Sequence, residues 1–235
     1  MCIDKSCDGK YGYGYKFAQK RIERQIVKLP VNSNDEPDYE FMEGYMREVE
    51  QKGKERYRKY IQNKINKIDK VENIENKKWK EFRIEDIFNI FSGVRLTKEN
   101  QNDGLRPFAG ATDSNNGITE FVSNINESLD QNVLGVNYNG SVVENFYHPY
   151  ETIFSDDVKR LHLKHYNDEK YVFLFMKVAI LQQKVKYQYG YKFNAERMKR
   201  QIIMLPVNSE NEPDYKFMEN YMRRKEYEIL QKYLQ

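Results

Sequence analysis

Two stretches of this chain are near copies of each other. Residues 10–47 read KYGYGYKFAQKRIERQIVKLPVNSNDEPDYEFMEGYMR and residues 186–223 read KYQYGYKFNAERMKRQIIMLPVNSENEPDYKFMENYMR, so 26 of 38 positions are identical at a constant offset of 176 with no gap. Tyr13 to Phe17 answers to Tyr189 to Phe193, Leu29 to Ser33 to Leu205 to Ser209, and Glu36 to Tyr39 to Glu212 to Tyr215. Such a spacing lies far outside the ~20–50-residue units that stack into solenoids. It describes a duplicated unit of about 176 residues, of which the chain carries one whole copy and the last part of the copy before it. Residues 1–35 are therefore expected to be the C-terminal remnant of a first domain.

Composition closes several other routes. Charged residues make up 32% and apolar ones 39%, with a mean hydropathy of −0.91, so no stretch approaches the ~18 apolar residues of a membrane span. The opening Met-Cys-Ile-Asp-Lys-Ser-Cys has no apolar h-region, and two cysteines, Cys2 and Cys7, cannot make a disulfide scaffold. A cytoplasmic protein is expected. The 19 Tyr and 13 Phe speak against intrinsic disorder.

Each Pro-Asp step, Pro37-Asp38 and Pro213-Asp214, reads as a helix start, with acidic residues at the positive end of the helix dipole. After the first, an apolar stripe of Met42, Met46, Val49, Tyr57, Ile61, Ile65, Ile68 and Val71 predicts an amphipathic helix over 38–74, about 55 Å long. Gly53 is its weak point. The second copy offers Met218, Met222, Ile229, Leu230 and Tyr233, and the two stripes are expected to pair as an antiparallel coiled coil. Residues 52–70 carry eight basic and two acidic side chains, too wet to bury on most faces. Residues 79–176 read differently: strands at Phe82-Arg83-Ile84, Val133 to Val136 and Val142-Val143, with turns at Asn115-Asn116-Gly117 and Asn139-Gly140-Ser141. Residues 170–186 are apolar enough for a buried helix. The fold class is α+β, a strand-rich, loop-heavy domain flanked by long helices.

Catalytic signatures are weak. The chain has no glycine-rich phosphate loop and no Asn-Pro-Pro-aromatic or Asp-Pro-Pro-aromatic tetrapeptide of an adenine methyltransferase. His148, His162 and His165 are wrongly spaced for zinc or a triad, and read better as satisfied surface or core histidines. Pro37-Asp38 with Glu50-Gln51-Lys52 mimics a metal-dependent nuclease. Twelve helical residues separate the two carboxylates by about 18 Å, and the second copy loses the lysine. No metal, cofactor or catalytic residue is expected.

Binding remains. Residues 10–30 hold six basic side chains and one acidic, residues 186–206 five and one, interleaved with tyrosines in both copies, a pattern suited to phosphates. Against this, residues 84–176 carry seven basic and fourteen acidic side chains, a net −7. A DNA surface there needs Arg95, Lys98, Arg106, Lys159, Arg160 and Lys164 to converge on one face.

The run of Lys78-Trp79-Lys80-Glu81-Phe82, Ser92-Gly93-Val94-Arg95-Leu96-Thr97-Lys98, Asn115-Asn116-Gly117, Asn139-Gly140-Ser141-Val142, Phe146-Tyr147-His148-Pro149-Tyr150, Ser155-Asp156-Asp157-Val158, Tyr189-Gly190-Tyr191-Lys192-Phe193 and Leu205-Pro206-Val207 resembles the DNA-specificity (S) subunits of Type I restriction–modification systems, in the branch shared with Type IIB enzymes. The resemblance implies a non-catalytic subunit that reads one half of a bipartite duplex DNA site with each target recognition domain. It implies helices that separate the domains and dock methyltransferase subunits, which bring S-adenosylmethionine, with a restriction subunit as a further partner. On this reading 1–35 is the remnant of a first recognition domain, 36–75 a spacer helix, 79–208 the surviving recognition domain and 212–235 a shorter spacer helix. Carried over by position, the expected DNA contacts are Arg95, Lys98, Thr112, Asn115, Asn116, Asn139 and Ser141 in turns, and Tyr189, Tyr191 and Lys192 on scaffold or phosphates. The chain departs from the full pattern by lacking the first recognition domain. It is expected to homodimerise, to complement another S fragment, or to be an inactive truncation. A protein-interaction module that binds no DNA is the remaining alternative.

Overall fold

The computed structural model describes residues 2–11, 15–67, 72–187 and 190–233. It divides into two compact units, Met1–Gln62 and Asn63–Tyr233.

The first unit opens with α1 (Cys2–Cys7) and a single turn, α2 (Gln19–Ile22), and runs into the long helix α3 (Tyr39–Asn66). The turn ahead of α3 is built by one side chain. Asn32 Oδ1 accepts from the amides of Asn34 and Glu36 at 2.9 and 3.1 Å, a local mimic of a backbone turn, and Asp35 takes a φ of 59°. Asp38 then caps α3, its Oδ1 accepting from the amide of Phe41 at 2.8 Å. Glu50 pairs with Lys54 at 2.6 Å and Lys52 with Glu48, so the nuclease-like residues serve the helix surface. The helix is shorter than the expected span of 38–74. It stops at Asn66, and Asn73 opens a separate short 3-10 turn by accepting from the amide of Glu75. Asn63, Asn66 and Asn73, alternating with β-branched isoleucines, compete with helical hydrogen bonds here. Of the predicted stripe, Ile68 and Val71 lie outside the described residues.

The second unit is the α+β domain. Its strands are β1 (Trp79–Arg83), β2 (Phe88–Ser92), β3 (Asp103–Ala109), β4 (Ile118–Val122), β5 (Val133–Asn137), β6 (Asn145–His148), β7 (Ile153–Phe154), β8 (Val158–Leu163) and β9 (Ile202–Pro206). They form an antiparallel sheet ordered β2-β8-β5-β6, a three-stranded sheet β4-β3-β7 in which β3 and β7 run parallel, and a ribbon β1-β9. Between β1 and β2 lies α4 (Ile84–Ile87), followed later by α5 (Lys170–Leu181), α6 (Ala195–Arg200) and α7 (Tyr215–Tyr233).

The core forms where α5 turns Val172, Phe173, Met176 and Ile180 toward Leu134, Val136 and Leu161 of the large sheet and toward Ile84, Ile87, Phe193, Met198 and Leu205. Glu169 caps α5 by accepting from the amides of Tyr171 and Val172 at 2.6 and 3.2 Å. The helix ends at Leu181 rather than 186, since Gln182 and Gln183 leave the apolar stripe. Two expected strands are corrected. Ile84 opens α4 instead of ending a strand, and Val142-Val143 lies in the β5–β6 turn. There Val143 takes a φ of 71°, costly for a β-branched residue, and is held by its amide on the Asn137 carbonyl and by complete burial.

Of the six cations that a DNA surface here would need on one face, three are tied into the scaffold. Arg160 is tied to Asp130 at 2.8 Å, Arg106 to the carbonyls of Ser123 and Asn124, and Lys164 to the Glu85 carbonyl. Arg160 belongs to a cluster around His162, whose Nδ1 lies 2.6 Å from Asp168 and whose Nε2 lies 2.9 Å from Asp130. Both carboxylates stabilise the imidazolium and push its pKa up to about 9. Burial alone pushes Asp130 up, but His162 and Arg160 hold it net below the usual range. His148 is the opposite case, buried among aromatic rings and driven down to about 4, so it is neutral at pH 7.

A histidine whose pKa is raised on folding stabilises fully below its unfolded value of ~6.5 and loses that contribution as pH climbs to about 9. Chemical denaturation from pH 6 to 9.5 should show the protein losing about 2 kcal/mol over that window. In His162→Phe that loss should disappear.

Candidate nucleic-acid interface

Four connections meet at one end of the large sheet. In its register Ser92 pairs with Lys159 and Val158 with Asn137, so the C-termini of β2 and β5 and the N-terminus of β8 share an edge. Beside them β3 ends next to β7, with Ala109 against Phe154. The segments leaving this edge are 93–97, 110–117, 138–144 and 155–157.

These connections are fixed to each other largely through backbone, and Arg95, Asp113, Ser114, Asn115 and Asn116 are exposed on them. The amide of Val94 donates to the Phe154 carbonyl at 2.8 Å, and a Cβ on Gly93 would sit 2.0 Å from the Ser155 carbonyl oxygen. Gly110 donates to Gly117, closing the 110–117 loop, whose Asn115, Asn116 and Gly117 all take left-handed φ of 49°, 52° and 77°. The Ala111 carbonyl accepts from the amide of Ser141 at 3.2 Å, and the Thr112 carbonyl accepts from Asn137 Nδ2 at 2.8 Å. A Cβ on Gly140, at φ 56°, would meet that same Ala111 oxygen at 2.4 Å. Asn139 Nδ2 donates to Asp157 at 2.9 Å, and the amide of Tyr138 donates to the Asp157 carbonyl at 3.1 Å.

Chemically the edge mixes donors and acceptors. Arg95 is exposed, 3.8 Å from Asp156, and Asp113, Ser114, Asn115 and Asn116 stand in solvent. Lys159 donates to Ser92 Oγ at 2.9 Å and lies 4.7 Å from the ring centre of Tyr138. Burial pushes its pKa down, opposed by Asp156 and Asp157. Carboxylates outnumber cations here, with Asp113, Glu144, Asp156 and Asp157 against Arg95 and Lys159, and amides and hydroxyls supply the remainder.

Of the residues singled out in the sequence, Arg95, Thr112, Asn115, Asn116, Asn139 and Ser141 come together on this edge. Lys98 does not: it begins a 3-10 turn whose Asn100 carbonyl accepts from Asn124, past the far end of β4. Tyr189 lies outside the described residues. Tyr191 and Lys192 belong to a separate cluster, in which Tyr187 and Tyr191 stack at 5.7 Å and Arg197 lies 3.8 Å over Tyr191 while donating to the Lys192 carbonyl. Tyr187, Tyr191 and Arg197, with Lys186 and Arg200, line an open hollow of about 430 Å³. Tyr138, Asp156 and Asp157 also stand at this edge, although they were not among the expected contacts. Their signal was the Asp-Asp pair just ahead of a strand. Among the described residues no group of three or more His, Cys, Asp or Glu side chains is arranged to hold a metal ion, and no helix is long and apolar enough to cross a membrane.

Comparison with known proteins bears on this edge. Residues 76–233 match the family described as the Type I restriction modification DNA specificity domain. The Type II restriction enzyme BgcI specificity subunit S.BcgI of Heyndrickxia coagulans is 51% identical over 220 residues, which is 94% of this chain and 63% of that protein. The chain thus spans less than two thirds of the relative's length. Among solved structures, a Type I system S subunit from M. genitalium overlaps 78% of this chain and 51% of its own at 16% identity and a TM-score of 0.49. The HsdS subunit from Thermoanaerobacter tengcongensis overlaps 99% and 60% at 11% identity and a TM-score of 0.46.

The clamp between loops gives a direct expectation. Gly140→Val forces a side chain onto the Ala111 carbonyl and should cost about 2 kcal/mol in urea unfolding. Gly44→Ala, where nothing lies within 4 Å and φ is ordinary, should be neutral or slightly stabilising.

Proposed function

This chain belongs to the Type I restriction modification DNA specificity family, and from that premise we propose that it directs a modification and restriction complex to a specific duplex DNA sequence. The carrying observation is the edge where four turns converge with their backbones bound to each other and Arg95, Thr112, Asn115, Asn116, Asn139 and Ser141 around it. Asparagine can make paired hydrogen bonds to adenine, arginine to guanine, and aspartate can accept from cytosine. An edge with few cations and many amides and hydroxyls suits base edges better than a phosphate track, in line with the net −7 of residues 84–176.

The task of holding the phosphates then falls to the tyrosine and arginine cluster of Tyr187, Tyr191, Lys192, Arg197 and Arg200. It recurs in the first copy, and a feature common to two domains cannot tell their sequences apart. The chain does no chemistry itself. Methyltransferase subunits docked on α3 and α7 bring S-adenosylmethionine, a restriction subunit brings cleavage, and helix length sets the distance between half-sites. The net −7 also favours a second reading, a protein-interaction module that binds no DNA.

Selection from a random duplex library, with the methyltransferase subunit present, tests both. Asn116→Ala, Asn139→Ala and Arg95→Gln should each relax preference at one position at a cost of about 1–3 kcal/mol. Arg200→Gln should weaken binding to all duplexes alike and lower the salt slope by about 1. No DNA retention even with the methyltransferase would establish the second reading, and Mg²⁺-dependent cleavage by the chain alone would overturn both.

A further inference from the structure

Four asparagines lie in or beside the convergent turns, and their amides are held in different ways. Asn115 and Asn116 are exposed and make no side-chain hydrogen bond among the described residues. Asn137 is buried, with its Nδ2 spent on the Thr112 carbonyl. Asn139 is half-buried and falls between these cases. Its Nδ2 donates to Asp157 Oδ1 at 2.9 Å, while its own Oδ1 has no hydrogen-bond partner among the described residues. A carboxylate oxygen accepts and cannot donate, so the nitrogen of this amide must face Asp157 and the oxygen must turn away. Asp157 takes one N–H, and the edge left over carries one acceptor and one donor. Flipped, the same amide would offer two donors.

The Asp157 carboxylate is not needed to tie the loops together. The Tyr138 amide donates to the main-chain carbonyl of Asp157 at 3.1 Å, Val158 closes residues 155–158 onto the Ser155 carbonyl at 3.0 Å, and Gly93 donates to the Val158 carbonyl at 3.1 Å. Any residue at 157 would supply those bonds. Nor does the carboxylate answer a cation: among the described residues Asp157 has no ion pair, whereas Asp156 lies 3.8 Å from Arg95. Asn139 is fixed from its other side by Gly140, set against the Ala111 carbonyl at φ 56°, and by the Ser141 amide bound to that same carbonyl.

We propose that Asp157 is a positioning residue that holds the Asn139 amide with Oδ1 and one N–H outward, and that this pair selects adenine at one position of the target. In the major groove adenine presents an amino donor beside the N7 acceptor, the complement of that edge. Guanine presents two acceptors, O6 and N7, and sets one of them against Oδ1. Cytosine's amino group and thymine's O4 each answer half of the edge. The inference rests on the reading of the convergent turns as the DNA-facing edge.

The test is selection from a random duplex library by the full chain with its methyltransferase subunit, followed by the same selection with variants. The position whose preference is lost in Asn139→Ala should be adenine. Asp157→Asn can either accept from the Asn139 amide or donate to it, so the amide flips. The adenine-over-guanine ratio there should fall about tenfold, with every other position and the urea midpoint unchanged. A second measurement needs no variant at 157. Replacing that adenine by purine without the 6-amino group, or by 7-deazaadenine, should each weaken binding of the unaltered chain about 5- to 100-fold, and Asn139→Ala should be indifferent to both.

Three results overturn the proposal and leave the reading of the turns intact: another base or no position at all dependent on Asn139, unaltered-chain binding indifferent to both analogues, and an Asp157→Asn selection that matches the unaltered chain or loses preference at every position. If the unaltered complex selects no sequence, that reading falls and the proposal falls with it.

Discussion

The α+β domain depends on one long-range pairing, β1 with β9. It joins Trp79 to Pro206 and Arg83 to Ile202, so the domain's first strand is held by the segment that follows its last sheet. The ribbon's inner residues, Ile203 and Leu205, are fully buried in the same cluster as Ile84, Ile87 and α5. The pairing also sets where α7 leaves, since Val207 is bound to Lys78, and Asp214, which caps the helix, is bound to Lys77. The edge where the turns converge and the helix α7 are thereby linked through a closed scaffold in place of a flexible joint.

The two ends of the large sheet are built on opposite principles. At one, His162, Asp130, Asp168 and Arg160 consume each other's charge, and Tyr147 donates to Asn132, which in turn donates to the Asp168 carbonyl. At the other, the turns satisfy their backbones internally and leave short polar side chains outward. Buried ion clusters rigidify, and preorganised loops lose little entropy on binding. Arg160, held by Asp130 and the Ser92 carbonyl, and Arg106, held by the Ser123 and Asn124 carbonyls, serve the scaffold.

Much of this was legible in the residues. The repeat predicted two like structures, and they agree to tenths of an ångström in hydrogen-bond length, Asn32 and Asn208, Asp38 and Asp214 acting on near neighbours and Tyr11 and Tyr187 within the repeat itself. Asn115-Asn116-Gly117 announced its left-handed turn for the same local reason. What escaped was set by distance along the chain. Val142-Val143 looks like strand until the Asn137 carbonyl claims Val143, and no local pattern shows that His162 falls between Asp130 and Asp168. Lys98 sat close in sequence to Arg95, yet the chain between them crosses toward the far end of β4.

The central claim is that the convergent turns face DNA and the ion-clustered end does not. A photo-reactive phenylalanine analogue placed at Asn116, at Asn139 or at exposed Asn167, beyond the other end of β8, separates the two ends. In the complex with the methyltransferase subunit and a duplex it has selected, cross-links to DNA should form from 116 and 139 and not from 167. Cross-links from 167 alone would contradict the account.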